Sequence, residues 1–296
     1  MSKLCEVLKV ATKNYHAWDK NGENKWAERR RKIGDKIQKK FYEHKRVAGC
    51  SKITEELKAS GVKVGRSFVA EIMRERKLVS KVVKKYKATT NSNHKLPVAK
   101  NLLLKERTEE ERINPKTGNL RDKYERTFNF DEVNKAWVSD ITYIQTDEGW
   151  LYLAGIMDLC GKEIVGWSMG PRMTKELVVG CFENARRKRG SPKNVVLHSD
   201  RGSQYCSNEY QKSLKTHNFI CSMSRKGNCY DNAPMESFWG KLKQEWLNGM
   251  HFRTRAEARA AVFWYIETYY HRKRLHAGNG YKTPLDYTSQ KLKQAA

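Results

Sequence analysis

The 296-residue chain carries 59 Lys and Arg against 33 Asp and Glu, a net charge of +26, with apolar residues at 39%. No run of about 18 apolar residues occurs, which excludes a membrane-spanning helix, and the N-terminal MSKLCEVLKVATKNYHAWDK lacks a secretory leader pattern. Seven scattered cysteines with no CxxC spacing argue against a disulfide framework or a zinc site and suit ordinary thiols in a reducing, bacterial-type cytoplasm. Positive charge on this scale fits a solubilising or ribosomal-type surface or, more sharply, a duplex nucleic acid whose phosphates release counterions as basic side chains arrive.

The length allows two domains, and residues 1–88 read as the first, a helical and strongly basic region. Residues 1–100 hold 27 Lys and Arg against 10 Asp and Glu, an excess of 17 positive charges. Ile33, Ile37 and Phe41 recur every four residues and predict one apolar helix face. A second helix is predicted over Ser51–Ser60 with Ile53 and Leu57 inward, and Gly61 breaks it. A third runs from about Arg66 to Lys77 and buries Phe68, Val69, Ile72 and Met73. Two short helices across a glycine-containing turn form a helix-turn-helix pattern, with Arg66, Arg74, Arg76 and Lys77 largely off the apolar face and available to DNA. A plain three-helix bundle with a solvated basic face fits the same periodicity.

Residues 89–130 follow as a linker. TTNSNHKLPVAK at 89–100 is polar, and the doubly charged stretch Lys105–Arg126, with an NPKTGN turn, suits two short exposed helices or a tether. From Ala136 the pattern becomes α/β. AWVSDITYI, WLYLAGIMDLC and EIVGWSMG predict a three-stranded meander, Thr174–Arg189 a helix, NVVLHSD a strand, Asn208–His217 a helix and FICSMS a fifth strand. A helix starts near Pro234, closing a region placed at 131–250. In the C-terminal region, 251–296, Thr254 and Glu257 form a capping box ahead of a helix that buries Ala258, Ala261, Val262, Tyr265, Ile266 and Tyr269. The expected fold class is a mixed α/β sheet flanked by helices, preceded by an all-α helix-turn-helix region.

Three acids stand where apolar neighbours would not otherwise invite them. Asp140 is mid-strand on the face of Val138 and Thr142, Asp200 ends an apolar strand, and Glu236 lies in the first turn of a helix that Asp231 or Asn232 can cap. Carboxylates of this kind suit Mg²⁺ or Mn²⁺, and a pair of such ions serves phosphodiester cleavage. Phe238, Trp239, Leu242 and Trp246 form the buried face of that helix. Lys243, nearly two full turns after Glu236, is placed to hold a phosphate. Asp158, also between apolar residues, is read as structural because it opens a turn before Gly161. His198 is read as orienting Asp200 or a phosphate rather than as a base. Arg272, Lys273, Arg274 and His276 follow the last long helix, as a solvated helix end or as a DNA-backbone contact.

WVSDITYI, HSDRGSQY, DNAPMESFWGKLKQEW and RLHAGNGYKTP occur in order, with 35 residues between Asp200 and Glu236. In these blocks the chain resembles the OrfB-type transposases of the IS3 family of bacterial insertion sequences over roughly residues 1–287. The resemblance implies an RNase H-like, retroviral-integrase-like core with Asp140, Asp200 and Glu236 as the metal-binding catalytic triad for two Mg²⁺ ions, for which Mn²⁺ would substitute. It further implies 3′-end cleavage and strand transfer on double-stranded DNA (element ends and target), and contact of Lys243 with terminal DNA. The partners it implies are other copies of the chain on DNA and an upstream-frame helix-turn-helix/leucine-zipper protein or fusion. The residues alone also admit a nuclease that only hydrolyses, or a DNA-binding regulator with an idle core. No HxxxH and CxxC pair occurs, unlike in retroviral integrases.

Overall fold

A computed structural model describes residues 2–7, 9–21, 25–80, 96–114 and 119–295. The chain divides into two compact units, Met1–Val82 and Val83–Ala296. The expected boundary at residue 88, residues 89–95 of the linker and the centre of the NPKTGN turn lie outside the described residues.

The N-terminal unit holds α1 (Ser2–Val7), α2 (Thr12–Asn21), α3 (Lys25–Glu43), α4 (Cys50–Ala59) and α5 (Arg66–Glu75). Ile33, Ile37 and Phe41 of α3 meet Ile53 and Leu57 of α4 and Val69, Ile72 and Met73 of α5 in one core; Phe68 packs at its margin. The α4–α5 turn closes through bonds from the Gly61 N–H to the Lys58 carbonyl and from the Val62 N–H to the Leu57 carbonyl. That Schellman closure needs a left-handed residue, and Gly61 supplies it at φ +78°. Arg76, expected to be available to DNA, is committed elsewhere: its guanidinium lies over Gly34 and bonds Asp35, Gln38 and the Arg31 carbonyl, tying α5 to α3.

The second unit begins with a ribbon of β1 (Leu104–Glu106) and β2 (Tyr124–Arg126), antiparallel, flanking the one-turn α6 (Glu109–Arg112). This corrects the expectation of two helices or a tether for Lys105–Arg126. The main sheet contains β3 (Ala136–Thr146), β4 (Gly149–Asp158), β5 (Ile164–Gly170), β6 (Val196–Ser199) and β7 (Ile220–Met223) in the order β5-β4-β3-β6-β7. The first three strands form the expected antiparallel meander, and β6 and β7 add in parallel. Trp137, Ile141, Ala154 and Ile156 line one face, against α7 (Lys175–Lys188) and α8 (Asn208–Thr216). Gly166 lets α7 approach, since a Cβ there would lie 2.6 Å from the Ala185 backbone nitrogen. The opposite face, with Val138, Asp140 and Thr142, receives α9 (Ala233–Leu242).

Helix α9 continues as a π-helical turn, Lys243–Leu247, and α10 (Arg255–Phe263) continues as another, Trp264–Tyr270, before α11 (Pro284–Ala295). Trp246 stacks on Trp264 at 4.1 Å between ring centroids. Thr254 caps α10 by accepting from the Glu257 N–H, but the Glu257 carboxylate returns to the Arg253 N–H, one residue earlier than a capping box requires. Arg274, expected as a DNA contact, is instead buried in a bidentate pair with Glu245, at 2.6 and 2.8 Å, and Tyr265 donates to the same carboxylate at 2.7 Å. No helix among the described residues is long and apolar enough to cross a membrane.

Breaking a buried pair strands a charge, so Arg274→Ala should cost about 3–5 kcal/mol in urea unfolding. The exposed neighbour, by contrast, should tolerate Arg272→Ala within about 0.5 kcal/mol. Equal, small losses for the two variants would refute the assignment of Arg274 to the interior.

Candidate active site

The register of β3 against β6 sets Val138 opposite His198. Asp140 lies two residues beyond this pair in β3 and Asp200 directly follows the end of β6, close enough for the charge of Asp200 to act on Asp140. The turn after β6 is fixed by Asp200 itself, whose Oδ1 accepts from the Gly202 N–H at 2.9 Å. Glu236 approaches from the exposed side of the first turn of α9.

Helix α9 is docked by two polar contacts to β3. Asn232 donates to the Ser139 carbonyl at 3.2 Å, and the Trp239 indole donates to Asp140 Oδ2 at 3.1 Å. Asn232 makes no side-chain cap of the helix, and the carboxylate of Asp231 serves two arginines, so neither acts as the expected cap. Trp239, read from sequence only as core, is the positioning group that periodicity missed. Its signal is Gly155, set opposite Asp140 in the β3–β4 register within an otherwise apolar strand. A Cβ at Gly155 would stand 2.7 Å from the Trp239 ring.

Burial raises the Asp140 carboxyl well above the usual carboxylate range, and the charges of Asp200 and Glu236 raise it further against bonds from the Ile141 N–H and Trp239. Glu236 is also raised, by partial burial and by Asp200. The three acids therefore share one electrostatic environment. Among the described residues, however, no three acidic, His or Cys side chains form a ready-made metal cage. The donor set is oxygen-only, which fits a hard divalent cation.

Lys243 is 5% exposed, its ammonium 4.9 Å from the Tyr143 ring centroid. Burial lowers it to about 7 although the Asp140 charge pulls the other way. The structure thus puts this lysine in the interior, within reach of the Asp140 charge, rather than on an open surface. His198 is corrected: it bonds the hydroxyls of Ser222 and Ser224, at 2.9 and 3.1 Å, rather than Asp200, and burial brings it to about 4. Asp158 is structural, its carboxylate accepting from the Asn134 and Cys160 N–H groups.

Arg66, Arg74 and Lys77 are exposed on the first unit, as are Arg272 and Lys273 on the second, and His276 is half-buried. Sequence reading passed over one basic cleft of about 450 Å³, lined by Lys25, Arg29, Lys32 and Lys36 of α3 and by Lys63 across from them. The spacing of four, three and four residues along α3 is the signal that could have found it.

Comparison with known proteins places these features. An HTH-like domain model matches residues 28–86, and two integrase core domain models match 131–229 and 218–284. The chain is 39% identical over 295 residues to an uncharacterized 31 kDa protein of insertion element IS600 from Shigella sonnei, covering 99% of this chain and 100% of that one. It is 38% identical over 299 residues to the InsF transposase of insertion sequence IS3A from Escherichia coli strain K12, covering 98% and 94%. Among solved structures, the HTLV-2 integrase catalytic core domain in complex with magnesium is similar, at a TM-score of 0.42 and 16% identity over 53% of this chain and 97% of that one.

The Gly155–Trp239 contact is open to a double-mutant cycle. Gly155→Ala should destabilise by about 1–3 kcal/mol, and by clearly less in a Trp239→Phe background, whose shorter ring leaves room. Strictly additive costs in denaturant unfolding would rule the contact out.

Proposed function

The chain belongs to the IS3-family insertion-sequence transposases with an integrase-type core, and from that membership we propose that Asp140, Asp200 and Glu236 are its catalytic triad for DNA 3′-end cleavage and strand transfer. The observation that carries this reading is that three carboxylates, from β3, from the residue following β6 and from the first turn of α9, lie close enough for their charges to act on one another. Nothing in ordinary folding rewards such a gathering, since the like charges destabilise one another unless a cation joins them. Two Mg²⁺ ions, or Mn²⁺ in their place, would supply activation of the attacking oxygen and stabilisation of the leaving one.

The protein's own groups do the positioning. The indole of Trp239 orients Asp140, and the Gly202 N–H orients Asp200. The first reaction adds a water oxygen to phosphorus at an element end and releases a 3′-hydroxyl. In the second, that hydroxyl attacks another phosphodiester and displaces its 3′-oxygen, so that bonds broken and formed balance. DNA is held in part by the N-terminal unit, through Arg66, Arg74 and Lys77 and through the α3 cleft with Lys25, Arg29, Lys32, Lys36 and Lys63. The exposed Arg272 and Lys273 would contact backbone near the core.

Asp200→Asn preserves the acceptor for the Gly202 N–H, so the fold should persist while cleavage and joining of end DNA in Mg²⁺ fall by roughly 10²–10³-fold or more. EDTA should abolish the wild-type reaction. Joining at the wild-type rate by Asp200→Asn would end the triad assignment. For the α3 cleft, replacing Arg29 and Lys36 by Gln should lower the slope of log K against log salt by about 0.9 for every phosphate no longer neutralised. An unchanged slope would take the cleft out of the interface.

A further inference from the structure

The ribbon ahead of the core has no part in cleavage or joining as proposed, yet its contacts meet on a single carboxylate. Asp231, whose side chain is 0% exposed, lies five residues before Glu236. Its Oδ1 accepts from Arg126 Nε and from an Arg225 terminal nitrogen, both at 3.0 Å. Its Oδ2 accepts from Asn101 at 3.1 Å and from Arg225 Nε and the Arg225 backbone N–H, both at 3.0 Å. Burial works against the charge, but the two arginines outweigh it and hold this carboxyl at about 2.

The arrangement is laced on both sides. The Arg126 guanidinium stands over the Tyr230 ring at 5.6 Å and also bonds Asp122, while the Arg225 guanidinium stands over Tyr124 at 5.1 Å. The Leu102 N–H donates to Ser222 Oγ at 2.8 Å, on β7. Residues of the ribbon and its approach are thereby fastened to the connection between β7 and α9. That connection delivers Glu236. Its next residue, Asn232, is the one bonded to the Ser139 carbonyl, beside Asp140.

The first turn of α9 needs such support. No side-chain cap closes it, its acid is exposed, and Asp200 repels that acid. An unsupported helix start frays readily. We propose that Asp231 is a positioning residue for Glu236, and that the β1–β2 ribbon, acting through Arg126 with Asn101 alongside, is the brace that keeps the start of α9 in place. The proposal rests on the reading of Glu236 as a metal-binding residue.

Two measurements on the full chain decide it. In Arg126→Ala, amides of Met235–Phe238 should exchange hydrogen clearly faster, while those of β3 and β4 keep wild-type protection. The Mn²⁺ concentration for half-maximal end cleavage should rise about ten-fold or more, the scale of losing a group that orients a metal-binding side chain. Arg126 is half-buried, and Asp231 keeps its bonds to Arg225 and Asn101 without it, so this variant folds even if Asp231→Asn alone does not. Unchanged exchange at Met235–Phe238 would overturn the brace, as would equal acceleration in β3 and β4, which marks general loosening. If wild type shows no metal-dependent cleavage, the catalytic reading fails while the exchange result still decides whether the ribbon steadies α9.

Discussion

Mutual repulsion among carboxylates is the constraint around which the larger unit is built. Two like charges about 4 Å apart repel by about 4 kcal/mol at a surface-like dielectric of ~20. A fold can hold three acids on one face only by anchoring the segments that bear them independently of the acids themselves. Asp140 is anchored by its place in β3, bonded to β4 on one side and, through its first residues, to β6 on the other. Asp200 is anchored by its own turn. Glu236, on the surface of a helix, has the least intrinsic support.

The supports of α9 come from three separate parts of the chain. Trp239 reaches β3 over the space left by Gly155, Asn232 reaches the carbonyl beside Asp140, and Asp231 collects donors from residues 101, 126 and 225. Beyond the helix, the π-turn carries Glu245 to Arg274. Each tie uses a polar group enclosed by the protein, where a bond left unmade costs about 1–3 kcal/mol. That asymmetry makes the placement of the helix sharp rather than approximate.

Much of this was legible in the sequence because the signals are periodic or local. The β3–β4–β5 meander showed in alternating apolar residues, α4 and α5 in the 3.6-residue repeat interrupted at Gly61, and the acids in three ordered blocks. The ribbon escaped because strands of three residues are shorter than any pattern window, and its mixed charges look the same whether solvated or engaged. Arg274 was indistinguishable from Arg272 and Lys273 for a similar reason: only the fold reveals Glu245 waiting for one of them. Arg76 was misread next to Lys77 because its acceptors, Asp35 and Gln38, lie some forty residues earlier. His198 bonds serines of a neighbouring strand, a relation that adjacency to Asp200 concealed.

The Glu245–Arg274 tie also bears on the order in which the molecule comes into being. Synthesis runs from the N-terminus, so Glu245 is added 29 residues before the Arg274 that pairs with it. Without the Arg274 guanidinium, burying the Glu245 carboxylate is costly, and the segment following Glu236 has reason to stay in water. The anchorage of the segment behind the acidic face thereby depends on a residue well beyond all three acids in the chain. A chain cut short before Arg274 would keep all three acids yet lack the guanidinium that holds Glu245 in the interior.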